Sequence, residues 1–236
     1  MAEPAPGRTF GRVADAYART RPRYTPAALD RAIAELALEA GATVLDLGAG
    51  TGNLTRALRE RFATVVAVEP DEEMRARFGG DALAGSAEEI PLPDGSVDAV
   101  FVGEAYHWFD HGHALPEIAR VVRPGGGLAV LSRSWGEQEQ PGLLPRPFAA
   151  ELDAVWARFH ADRTFPDLAA GLEGPVRFEE AVPISGRDLA DLHLTASTPA
   201  SIPDDERDAI AQRAYPLMDD RYELRVVTAL YWRLLP

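Results

Sequence analysis

The sequence contains no cysteine, which excludes a disulfide framework, a thiolate zinc site and a cysteine nucleophile. It also lacks lysine, so every fixed side-chain cation is an arginine, and Asn53 is its one asparagine. With abundant Ala, Gly, Pro and Arg, these absences fit GC-rich coding and carry no mechanism. Long apolar runs are missing too: none approaches the ~20 residues that span a bilayer. The opening MAEPAPGRTF has no apolar core of a secretory signal, so the chain is read as cytoplasmic. Positive charge is scarce, with 24 basic against 37 acidic residues and a net charge of −13. Such a charge repels nucleic acid and anionic lipid at long range, so the expected partner is a small molecule, not a nucleic acid or a membrane. What is present suits folding: 236 residues, 46% hydrophobic, enough to bury roughly 70% of the unfolded surface.

Two amphipathic helices are expected before residue 40. Phe10, Val13, Ala14 and Tyr17 mark the first, and Leu29, Ala32, Ile33 and Leu36 mark the second, with Thr25 as cap and Pro26 in its first turn. From Thr43 the pattern changes to short apolar runs separated by helical stretches: TVLDL, VVAV from Val65, VDAVFV from Val97 and GLAVL from Gly127. Alternating strands and helices imply a parallel sheet, and strands this uniformly apolar are covered on both faces. The helix after the first strand is expected over about 52–62, and Asp71, Glu72 and Glu73 suit the start of the next one. PLPDGS before the fourth strand is a turn, and RPGGG, from Arg123 to Gly127, ends a helix and re-enters the sheet. Beyond Leu131 a polar, proline-broken stretch precedes a helix from about Phe148 to Phe159. Val176 to Ile184 and Tyr222 to Leu234 alternate as strands, with a helix between them from near Pro203.

The expected architecture is therefore α/β: a doubly wound, Rossmann-like, mostly parallel sheet with an N-terminal helical lid and a C-terminal segment that caps the site and completes the sheet. One domain is expected, made of N-terminal helices (1–40), a cofactor-binding core (41–133), a substrate cap (134–175) and a sheet-completing part (176–236).

VLDLGAGTG, from Val44 to Gly52, carries the sharpest chemistry, because an apolar strand holding an acid runs into glycines at 48, 50 and 52 and then a helix. Glycine allows positive φ and lets a ligand touch bare backbone, while free helix N–H groups favour an electronegative partner. The dinucleotide fingerprint G-x-G-x-x-G would place its third glycine at Asn53, so the spacing G-x-G-x-G disfavours an NAD-dependent oxidoreductase. Asp46 is a polar group in a buried strand and needs partners, which an ammonium group or water could provide. Glu69, at the end of the second strand, could accept both hydroxyl protons of a ribose or stand as a solvated strand-end charge.

The motifs VLDLGAGTGNLT, VVAVEPDEEM, GSAEEIPLPDGSVDAVF, AYHWFD and EIARVVRPGGGLAVL, in this order over about residues 10–131, resemble those of the class I S-adenosylmethionine-dependent methyltransferases, in particular the type-11 methyltransferase domain family. The resemblance implies S-adenosylmethionine as cofactor, S-adenosylhomocysteine as product and a small-molecule acceptor. It implies that Asp46, Gly48, Ala49, Gly50 and Gly52 hold the methionine end, Glu69 the ribose and Pro70 the adenine face. Ala87 and Glu88 would meet the adenine edge, although Ser86 stands where members carry aspartate. Glu104, after the fourth strand, would contact cofactor or substrate. Tyr17, Arg21 and Tyr24 match the family's Y-x-x-x-R-P-x-Y lid pattern, in which a guanidinium pairs with a carboxylate of the cofactor or the substrate.

Tyr106, His107 and Trp108 offer an acceptor wall together with Tyr24 and Trp135, and His107 is the candidate general base. Its alternative roles are to orient Trp108 or to cap the next helix. His107, His111 and His113 could suggest a metal, but the acids nearby suit helix caps better, and no metal is expected. Trp135, Trp156, Phe159 and Phe165 lie in the segment expected to encode acceptor identity, although ordinary packing is the simpler reading of them. A non-catalytic cofactor-binding protein on the same scaffold is the remaining alternative.

Overall fold

A computed structural model describes residues 16, 19–136, 139–160, 171–196 and 202–236. The expected first helix, Tyr17 and Phe165 fall outside them, as does the Phe159 side chain. The contacts divide into two compact units, one containing residues 23–133, 171–178 and 228–236 and the other the remaining described residues.

The first unit opens with α1 (Pro26–Glu35), which buries Ala28, Leu29 and Ala32. Pro26 starts it as expected, but Thr25 does not cap it. The Thr25 hydroxyl instead lies 3.1 Å from that of Thr228, so a tertiary hydrogen bond displaces the local one. Then follow β1 (Thr43–Leu47), α2 (Asn53–Arg59), β2 (Thr64–Glu69), α3 (Glu72–Ala76), β3 (Leu83–Ala84), β4 (Val97–Gly103), α4 (His111–Val121) and β5 (Val122–Ser134). Asp71 caps α3 through the Glu73 and Met74 amides, at 2.8 and 3.0 Å, as its sequence position suggested. The helix α2 ends three residues earlier than its apolar spacing implied, although Phe62 beyond it is still buried.

The seven-stranded sheet has the order β3-β2-β1-β4-β5-β7-β6, where β6 is Glu173–Ser185 and β7 is Arg221–Leu234. The pairs β1–β2, β1–β4, β2–β3 and β4–β5 are parallel. The β7 strand runs opposite to β5, since Leu235 just past its end donates to Gly126 near the start of β5, at 2.8 Å. The two late segments that alternate in sequence thus complete the sheet, as expected.

Side-chain alternation sorts the core onto two faces. Leu45, Leu47, Val100, Val102, Leu128 and Val130 pack with Ile118 of α4 on one face. Val44, Ala99, Phe101, Ala129 and Leu131 pack with Leu29 of α1 and Leu54 and Leu58 of α2 on the other. Asp46 is two residues from Val44 and so belongs to the face that α2 covers. From β1 the chain goes to β2 on one side and later to β4 on the other. The carboxyl ends of β1 and β4 therefore flank the switch point, where open α/β sheets bind ligands.

In the second unit, α5 (Arg146–His160), α6 (Gly186–Leu194) and α7 (Asp204–Ala214) share a core that includes Phe148, Leu152, Leu189, Leu192 and Ile210. The sequence reading did not anticipate α6. Ser185 caps it by accepting from the Asp188 amide at 3.1 Å, and Arg19 pairs with Asp188 and Asp191 on it. Residues 179–185 of β6 and 221–227 of β7 belong to this unit. No helix among the described residues is long and apolar enough to cross a membrane.

Candidate functional site

The turn after β1 is shaped by backbone that only glycine adopts cheaply, with φ of +73° at Gly48, +57° at Gly50 and +84° at Gly52. Its first two amides, of Gly48 and Ala49, both donate to the Val68 carbonyl of β2, at 2.9 and 3.0 Å. Gly48 is also closed by packing, because a methyl there would stand 2.5 Å from the Ala105 side chain. Gly50 differs: a methyl there would meet nothing within 4 Å. Bare backbone at Gly50 therefore faces open space, a cradle that a side chain would fill.

Two buried acids belong to this turn and the strand ends beside it. Asp46 is fully buried, and its Oδ2 accepts from the Thr55 hydroxyl at 2.5 Å. Its Oδ1 has no hydrogen-bond partner among the described residues. Burial first, opposed by the Thr55 hydrogen bond and reinforced by the charge of Glu69, pushes the Asp46 carboxyl up to about 7. Glu69 is 5% exposed and is held at both oxygens, Oε2 by the Gly50 amide at 2.8 Å and Oε1 by the Asp71 amide at 2.9 Å. Burial raises its pKa, and those two backbone bonds oppose the rise. Each bonded oxygen keeps a lone pair for a further donor. The helix α2 is only seven residues long, so these acids and the glycine backbone, more than a helix dipole, define the site.

Across the switch point, β4 runs into Glu104, a non-glycine residue at φ +61°. Its amide continues the sheet by donating to the Leu131 carbonyl at 3.2 Å. Its Oε1 accepts from the Arg133 amide and from Arg133 Nε. The Arg133 side chain is 1% exposed, and its guanidinium lies 3.9 Å from the Tyr24 ring centre. A methyl at Gly103 would overlap the Tyr24 hydroxyl, so that ring reaches the backbone of β4 only because the residue there is glycine. Tyr24 and Tyr106, expected in an acceptor wall, are both buried core residues, 4% and 3% exposed.

His107 is half-buried in a short 3₁₀ turn, with its ring 4.7 Å from that of Trp108. Burial lowers its pKa, opposed by the charge of Glu104, so the imidazole is neutral at physiological pH and able to accept a proton. His111 and His113 have other engagements: His111 Nε2 contacts the Tyr106 carbonyl at 3.0 Å, and His113 Nδ1 contacts Asp110 at 2.8 Å. No group of three metal-binding side chains occurs among the described residues. Ala87 is buried beside the end of β2, and Pro70 is half-buried after Glu69. Glu88 Oε1 accepts from the Asp110 amide at 3.0 Å, which ties its loop to the cap of α4.

The first unit thus brings together Asp46, the glycine turn, Glu69, Pro70, Glu104 and His107 around the carboxyl ends of β1, β2 and β4. In the second unit Arg21 donates to the Thr195 carbonyl at 2.9 Å and stacks 4.7 Å from the Trp135 ring centre. Sequence reasoning missed Thr55 and Arg133. The signal for Arg133 was a cation closing an otherwise apolar strand, the counterpart of the acid in β1.

Residues 45–130 match a family model described as a methyltransferase domain. An uncharacterised methyltransferase of Mycobacterium tuberculosis is 50% identical over 137 residues, which cover 56% of this chain and 54% of that protein. The chain therefore spans about half the length of that curated relative. A malonyl-[acyl-carrier protein] O-methyltransferase of Yersinia pestis is 31% identical over 206 residues, covering 78% of this chain and 74% of that protein. Among solved structures, one named for a type II methyltransferase of Anaeromyxobacter dehalogenans superposes with a TM-score of 0.55 at 25% identity, over 91% of this chain and 97% of that one. The YcgJ protein of Bacillus subtilis shares the fold, with a TM-score of 0.51 at 18% identity over 89% and 99% of the two chains.

Proposed function

The chain belongs to the methyltransferase domain family, and on that premise we propose that it transfers the methyl group of S-adenosylmethionine to a small-molecule acceptor. The observation that carries this reading is the open backbone at Gly50 on a turn with two buried acids, one with an unpartnered oxygen and the other braced by backbone amides. That donor set fits the group. Asp46 Oδ1 offers a site for an α-ammonium, and Glu69 offers two oriented acceptors for ribose hydroxyls. Pro70 is assigned to the adenine face and Ala87 and Glu88 to its edge, as the family resemblance implies. The cofactor supplies an electrophilic methyl on a positively charged sulfur, which leaves as a neutral thioether.

The protein's part is alignment and exclusion of water. His107, neutral and next to the crevice, serves as general base when the acceptor is a hydroxyl, while Trp108 forms part of the wall. The name of the Yersinia relative specifies oxygen as its acceptor atom, which favours oxygen over nitrogen or carbon here. The net charge of −13 supports a small molecule over a nucleic acid as acceptor.

Replacing Glu69 with Ala is expected to weaken binding of S-adenosylhomocysteine by about 1.5–3 kcal/mol, the range for hydrogen bonds to a charged group, while the fold survives. Calorimetry checks this, and unchanged affinity would move the ribose site elsewhere. Transfer itself is tested by incubating the protein with methyl-labelled S-adenosylmethionine and a cell extract, then finding the labelled small molecule by mass spectrometry. Binding without any labelled product, over a broad panel of acceptors, would favour the non-catalytic reading instead.

A further inference from the structure

Asp46 and Glu69 are two buried acids on adjacent strands beside one turn; burial raises the pKa of both, but their hydrogen bonding differs. Glu69 receives a backbone N–H at each oxygen, and both bonds favour the carboxylate. Asp46 receives the Thr55 hydroxyl at Oδ2 and a backbone hydrogen bond from Thr55, but its Oδ1 receives nothing among the described residues. The charged groups that act on Asp46 are Glu69 of β2, which disfavours its ionisation, and Arg59 of α2, which favours it more weakly than Thr55 does. Arg59 is exposed, with its guanidinium 5.7 Å from the Phe78 ring centre, so solvent screens it. A wholly buried carboxylate without a close cation is costly, and two such charges at one turn are more costly still.

We propose that this turn takes up its cofactor in exchange for a proton: at mildly acidic pH the unliganded Asp46 is a neutral carboxylic acid, and the α-ammonium of the cofactor drives the proton off Oδ1 into solvent. This rests on the cofactor reading given above. The exchange balances: a neutral acid and an ammonium cation become a carboxylate–ammonium pair and one released proton, and the ammonium keeps its three hydrogens. Affinity then depends on pH with a definite sign. Below the Asp46 pKa, about 7, binding must first remove the proton, so affinity falls about tenfold per pH unit. Above that pKa the carboxylate is already present and affinity is flat.

The test is calorimetric titration with S-adenosylhomocysteine in buffers of low and high ionisation heat, at about pH 6 and about pH 8.5. The expected result is release of about one proton per molecule bound at the lower pH and almost none at the higher. Binding at the lower pH with no dependence on buffer overturns the proposal and leaves the cofactor reading intact. Failure to bind at either pH overturns both. Asp46→Asn should bind more weakly with neither proton release nor pH dependence, and release that persists in it assigns the proton elsewhere and overturns the proposal. Thr55→Val supplies a second check, because it removes the hydroxyl that stabilises the carboxylate and should move the pH midpoint of affinity upward. A midpoint that stays in place counts against Asp46.

Discussion

Replacing His107 with Gln is expected to lower turnover of a hydroxyl acceptor roughly 10²–10⁴-fold while leaving affinity for S-adenosylhomocysteine nearly unchanged. Burial outweighs the charge of Glu104 and places the His107 pKa below the ordinary imidazole value of about 6.5. The acid limb of the rate profile in the wild-type protein should therefore lie below that value, and activity should hold through neutrality. Glutamine fills similar space and can still hydrogen-bond, but it cannot take up a proton, so the acid limb should disappear along with the rate. If the acceptor is a carboxylate or an unprotonated amine, the substitution should act through alignment alone. A loss below about tenfold with the acid limb intact would then make His107 a wall residue and not a base.

Replacing Glu104 with Ala should destabilise the fold by about 3–5 kcal/mol, a large share of the ~5–15 kcal/mol available to a domain. The Arg133 side chain is 1% exposed and pairs with Glu104, so the substitution removes a carboxylate from beside a buried guanidinium. The backbone at φ +61° remains strained under alanine, so no relief compensates. Removing both charges together, as Glu104→Gln with Arg133→Met, should cost clearly less than the sum of the single changes, because the pair acts as a unit. Urea unfolding of the four proteins measures this coupling. Additive losses would show that solvent or other groups stabilise Arg133 independently of Glu104.

Much of the candidate site was legible because its determinants are local. Glycines at 48, 50 and 52 between an apolar strand and an amphipathic helix can hardly form anything but a tight turn, and Asp46 and Glu69 sit at fixed offsets from it. The switch point also followed from the order of strands and helices. What was not legible depends on contacts remote in sequence. Thr25 reads as a cap until Thr228 competes for its hydroxyl, and Tyr24 reads as a surface lid residue until Gly103 admits its ring to the interior. Glu104 reads as a free ligand contact, yet a left-handed backbone at that residue turns its carboxylate to Arg133, 29 residues on. Helix α6 was missed because its signals, a serine cap and three buried leucines, are short and follow directly on a strand.

The central claim, a site built for a sulfur-containing nucleoside with an amino-acid tail and not for a dinucleotide, is tested most directly by titrating the protein separately with S-adenosylhomocysteine and NAD in one calorimetric experiment at a slightly alkaline pH. The expected result is saturable binding of S-adenosylhomocysteine, weakened in Glu69→Ala, and no heat from NAD. Binding of NAD with none of S-adenosylhomocysteine would contradict the assignment.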